Sequence, residues 1–123
     1  MSHITKVFTA TCGVQAEHHE LVVRSVKIDA DGVYSFPDLQ LHAYHDKLVF
    51  DAGAKQVDCF RPVTAFSITR AERDQETGTD DERVRKAILK KITSSTLDGN
   101  SNETNLWAGN AGTIDYVGCG IQV

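Results

Sequence analysis

Residues 79–92 read TDDERVRKAILKKI, and this stretch decides the class of the fold. Thr79 followed three residues later by Glu82 is a capping-box pattern, in which a hydroxyl and a carboxylate satisfy exposed helix-start amides reciprocally. Asp80, Asp81 and Glu82 favour the positive end of a helix dipole, and Lys90 and Lys91 lie toward its negative end. Val84, Ala87, Ile88 and Ile92 form an apolar stripe at helical spacing, and Asp98-Gly99 stops the run. The pattern predicts an amphipathic helix over 80–97, about 27 Å long. That length covers a sheet or reaches across a partner.

The chain before this helix reads mainly as strands. ITKVFTATC and ELVVRSVKI are rich in β-branched and aromatic residues. Asp31-Gly32 gives a tight-turn signal between VKIDA and VYSF, so residues 4–36 are expected to form an antiparallel meander. Residues 38–50, DLQLHAYHDKLVF, fit either alternating strands or a short helix after Pro37. The strand character of KLVF favours strands. KQVDCFRPVTAFSITRAE reads as one long strand, or as two strands broken near Pro62, which lacks a backbone donor. Strand parity sets Phe66 and Ile68 on one face and Arg61, Val63, Ala65, Ser67 and Thr69 on the other. ERDQETGTDDER reads as a charged linker, and the last segment as a short helical turn followed by a strand, TIDYVGCGIQV. The expected architecture is one α+β domain over 1–123: a strand-rich part (4–71), the helix, and a Gly/Asn-rich tail (99–123).

Bulk composition narrows the function. A chain of 123 residues with 41% hydrophobic and 24% charged residues can bury one core. No apolar run approaches the roughly 20 residues that span a bilayer. The amino-terminal residues show neither a long apolar core nor a basic leader, and the carboxy-terminal residues show no lipidation box. A net charge of −4 argues against a wholly nucleic-acid-attracting surface and leaves a local basic face open. Cys12, Cys59 and Cys119 are widely spaced, which suggests buried free thiols in a reducing compartment.

Among chemistry-bearing groups, Glu17-His18-His19-Glu20 stands out. It is expected at a loop-to-strand junction, as a polar connection that gains positive charge in mild acid. Adjacent His18 and His19 diverge on a strand, and His42 and His45 meet only on a helix. Neither an H-E-x-x-H pattern nor a G-x-S-x-G elbow occurs. GNAG matches no phosphate-binding loop, so its glycines are expected to serve turns or close packing. The expectation is a non-enzymatic protein with no cofactor, metal or small-molecule substrate. A metal-dependent enzyme using His18 or His19 with His42 or His45 is a lesser alternative. DQETGTDDE supports another, a small intracellular binding or inhibitor protein with an acidic surface.

Basic and hydroxyl side chains on a sheet can contact RNA phosphates and bases. By parity, Lys27, Arg61, Ser67 and Thr69 are the candidates. Phe66, Ile68, Val84, Ile88 and Ile92 are the expected residues of dimer and helix packing. The order of meander, long strand, capped helix and small-residue tail resembles the coat proteins of single-stranded RNA bacteriophages. The likeness runs over the carboxy-terminal half, through VTAFSIT, TDDERVRKAIL and LWAGNAG. It implies a homodimer whose sheets join edge to edge, with each helix packed over the partner. Such dimers would build an icosahedral shell around RNA, first in the host cytoplasm and then in the virion. The same resemblance places the four candidates on the RNA-facing side.

Overall fold

The computed structural model describes residues 2–10, 13–63, 66–94, 106–110 and 112–122. The chain is an α+β protein whose principal element is a curled, antiparallel seven-stranded sheet. Its strands are β1 (His3–Thr9), β2 (Gln15–Val23), β5 (Leu39–Tyr44), β6 (Asp58–Pro62), β8 (Trp107–Gly109), β9 (Gly112–Ile114) and β10 (Gly120–Gln122). They run in the order β10-β1-β2-β5-β6-β8-β9. A second sheet joins β3 (Lys27–Ile28), β4 (Tyr34–Ser35) and β7 (Ser67–Ile68). Three helices complete the fold: α1 (Lys47–Asp51), α2 (Arg70–Asp74) and α3 (Asp80–Ser94).

The expected meander is therefore divided. The β3–β4 hairpin leaves the main sheet, and β2 pairs directly with β5. Its turn lies where Asp31-Gly32 places it. Asp29 Oδ1 accepts from the amides of Asp31 and Val33, and Gly32 takes φ +80°. The segment around Pro62 resolves into two strands, the second of the two readings, and they lie in different sheets, which corrects the shared face. Two further corrections concern helices. KLVF is helical, because Asp46 accepts from the Val49 amide and caps α1. The expected linker, residues 72–83, overlaps the end of α2 and the start of α3; α2 opens with a complete capping box between Thr69 and Glu72. Residues 95–97 of the expected 80–97 helix lie outside the described residues. In the tail, a turn at Val117 and Gly118 separates β9 from β10, where one strand was expected.

One core joins these elements. α3 contributes Val84, Ala87, Ile88, Leu89 and Ile92, while the main sheet contributes Ile4, Leu21, Leu39, Leu41, Phe60 and Trp107. Phe66, Ile68 and Tyr34 extend it toward the smaller sheet. The five expected packing residues are thus all buried within this chain, where each large side chain contributes about 1.5–3 kcal/mol. At the start of α3 the Glu82 amide donates to Thr79 Oγ1 at 3.3 Å, and the Thr79 hydroxyl donates to Glu82 Oε1 at 3.0 Å.

Gly109 shows why LWAGNAG is rich in small residues. A methyl group on its Cα would lie 2.8 Å from the Phe60 ring and 2.9 Å from Asp58 Oδ1. Those neighbours cannot yield easily. Phe60 is fully buried, and Asp58 Oδ1 accepts from the amides of Cys59 (2.7 Å) and Asn110 (3.0 Å). Gly109→Ala is expected to cost roughly 1–3 kcal/mol by overpacking, seen as a lower urea midpoint at unchanged slope. An unaltered midpoint would contradict this packing.

Candidate functional site: a polar sheet face and a cationic concavity

β2 is a central strand, paired with β1 on one side and β5 on the other. The quartet Glu17–Glu20 therefore lies inside the sheet, which corrects its placement at a loop junction. His18 and Glu20 are each 4% exposed and His19 is 0% exposed. Strand alternation sends His19 to one face and both His18 and Glu20 to the other.

His19 points to the core side. Its Nε2–H donates to the Lys6 carbonyl at 2.8 Å, and its Nδ1 accepts from the Tyr116 hydroxyl at 2.8 Å. A carbonyl only accepts, so these two bonds fix one neutral tautomer. Burial is the main cause that lowers its pKa, to about 4. The bond to Lys6 and the charge of Asp58 oppose that shift; His18 and Lys6 add to it. Burial also raises the Tyr116 phenol far above its ordinary value. Mild acid therefore adds no charge at His19, contrary to expectation.

The opposite face carries rows of directly paired residues. His3 on β1 faces Glu20, which faces His42 on β5, which faces Cys59 on β6. Thr5, His18 and Tyr44 form the adjacent row. His18 Nε2 lies 2.8 Å from Glu20 Oε2. The His18 ring lies 4.2 Å from that of His3 and stacks on Phe50 of α1 at 4.8 Å. Gln40 links His42 (2.7 Å), Cys59 (3.3 Å) and Asp38 (2.7 Å). Burial raises the Cys59 thiol pKa, while burial followed by Arg24 and Arg61 lowers that of His42. Both effects favour neutral groups, so this pair is poorly suited to thiolate chemistry.

The histidines weighed for the lesser metal reading are engaged elsewhere. His19 is on the wrong face, His42 bonds to Gln40, and His45 Nδ1 lies 2.7 Å from the Gln15 carbonyl. The structure instead groups His3, His18 and Glu20. His3 carried no sequence signal of its own; only the register of the β1–β2 hairpin reveals it.

The RNA-facing candidates divide. Lys27 and Arg61 line one concavity of about 530 Å³ with Phe36, Pro37, Pro62 and Val63. Asp38 and Ser35 are its polar walls. Ser67 pairs with Ser35 in the smaller sheet, and its carbonyl accepts from Lys91 at 2.8 Å. Thr69 is committed to the α2 cap. The acidic run is largely engaged within the chain. Arg73 bridges Asp74 and Asp80, Arg83 approaches both, and Arg85 pairs with Asp81. Cys59 and Cys119 are half-buried free thiols, and Cys12 lies outside the described residues. Among those residues, no helix is long and apolar enough to cross a membrane.

Compared with known proteins, the chain matches no family model, no curated protein and no solved structure.

The His19 environment makes stability depend on pH. Its folded pKa of about 4 lies below the ordinary value near 6.5 for an unfolded chain. Between those values the unfolded state binds a proton that the folded state refuses. The stabilisation is thus complete above pH 6.5 and lost as pH falls toward 4, by on the order of 3 kcal/mol. His19→Gln retains polar groups but cannot titrate. The urea-stability difference between the two proteins should shrink by about 2–3 kcal/mol between pH 7 and pH 4. A constant difference would rule out a neutral buried imidazole.

Proposed function

We propose that this protein is a non-enzymatic subunit that associates with copies of itself and encloses RNA in a shell. The observation that carries the reading is the convergence of Lys27 and Arg61, from separate sheets, on one half-open concavity. Its lining of Pro37, Pro62 and exposed Val63 offers apolar surface to an unstacked base, while the two cations offer partners for phosphates. Exposed Ile28 adjoins Lys27 in the chain and exposed Val63 lies two residues after Arg61; both supply apolar surface that a neighbouring subunit can cover. The outer strands β9 and β10 supply backbone edges on which sheets can join.

α3 covers its own sheet in the isolated chain, so this mode of association does not require its exchange between subunits. The engagement of Asp74, Asp80 and Asp81 by arginines leaves the acidic-surface reading with less free charge.

Expression without any tag should yield high-mass particles carrying nuclease-resistant RNA, visible by electron microscopy. A monomer across a wide salt range would overturn the shell. Replacing both Lys27 and Arg61 with Ala should weaken single-stranded RNA binding. It should also reduce the magnitude of the log-affinity versus log-salt slope by about 1.4, because two phosphates would no longer be neutralised. An unchanged slope would overturn this concavity as the RNA site.

A further inference from the structure

The structure assigns a divalent metal site, best suited to zinc, to His3, His18 and Glu20. This inference rests on different residues from the RNA reading and stands independently of it. One donor atom from each of the three side chains lies within 4.8 Å of the others. Donors bound at about 2.0–2.2 Å to a tetrahedral ion lie roughly 3.3–3.6 Å apart. His18 Nε2 and Glu20 Oε2, at 2.8 Å, already approach that separation. The His3 donor lies within 4.8 Å of both, so closing the set on an ion would draw His3 inward from its present contacts.

The framework that presents these donors is rigid. His18 and Glu20 project from one face of a strand paired on both edges, and His3 sits directly opposite Glu20 on β1. Phe50 stacks on the His18 ring and limits its rotation. Two imidazoles and a carboxylate form a borderline-soft donor set that suits zinc and related transition ions better than calcium or magnesium. Removing this set from water carries a desolvation cost, which a bound dication would offset. Binding would replace the hydrogen bond between His18 and Glu20 and displace its proton, as metal ligation by imidazole requires.

Glu20 also lines a second concavity, of about 760 Å³, with Ser2, Tyr44, Phe50 and Arg85. Of the three donors, Glu20 is the one that borders this recess. A fourth ligand, water or an anionic group, can enter from that side. This arrangement has three protein donors and an open position, whereas structural zinc sites commonly have four protein donors.

The test uses the full chain, purified without a polyhistidine tag and freed of metal by chelator dialysis. Zinc is titrated in competition with a chromophoric chelator, and cobalt(II) is followed by its visible absorption. The expected result is one ion per chain, with cobalt bands typical of four or five ligands. His3→Ala and Glu20→Gln should each weaken zinc binding by at least about 100-fold, the upper range for loss of a mere supporting contact. His45→Ala should leave it unchanged. Circular dichroism checks the fold of each variant; His3, half-buried on β1, provides the variant least disruptive to packing. Absence of one-to-one binding, or full affinity in folded His3→Ala, would overturn the site.

Discussion

The alternation of three consecutive side chains along β2 constrains much of this molecule. His18, His19 and Glu20 occupy a strand with partners on both edges, so none can turn away into solvent. His19 must be accommodated by the core side, which supplies the Tyr116 hydroxyl and the Lys6 carbonyl. That arrangement holds Tyr116, from the tail, against the centre of the sheet, where it also contacts Phe60 and Trp107. One polar side chain on the core face thus couples the amino-terminal hairpin to the carboxy-terminal segment. Without those partners, two buried polar nitrogens would carry a desolvation penalty of several kcal/mol, on the order of 1–3 each.

The other face depends equally on register. Phe8 and Thr9 pair with Ala16 and Gln15 near the hairpin turn. Continued without interruption, that register would set His3 against Leu21, on the core side. An irregularity between Thr5 and Phe8 shifts the pairing by one residue, so His3 faces Glu20 instead. A one-residue shift exchanges the two faces of a strand. The divergence of His18 and His19 was legible in the sequence because it needs only strand periodicity. The grouping of His3 with them was not legible, because nothing in ITKVFTATCG marks the bulge.

The same distinction explains the rest of the fold. The α3 stripe and the Asp31-Gly32 turn are local signals, and both appear where the sequence places them. KLVF is apolar enough for a strand, but it is too short for periodicity to decide; the Asp46 cap gives the helix its start. Thr69 and Glu72 do carry a capping-box signal, yet an extended reading from Phe66 onward passes over it. The division of strands between two sheets is a long-range outcome. β7 leaves the line of β6 to pair with β4, which separates Arg61 from Ser67 and Thr69. Lys27 meets Arg61 for the same reason, since both sheets border the concavity.

Charge is consequently distributed unevenly over the face opposite the core. Its middle is occupied by Gln40, His42 and Cys59, joined by hydrogen bonds, with burial favouring the neutral forms of His42 and Cys59. On one side of this neutral band lies the His3–His18–Glu20 cluster, whose donors can compensate a cation. On the other lies Arg61, which with Lys27 can compensate an anion. A nucleic-acid phosphate and a metal ion would each find partners in a different place, without competing for the same side chains. The intervening amide network also fixes the His42 ring on Gln40, leaving it less free to join either site. The neutral band therefore holds the His3–His18–Glu20 cluster and the Arg61–Lys27 pair apart on the molecule.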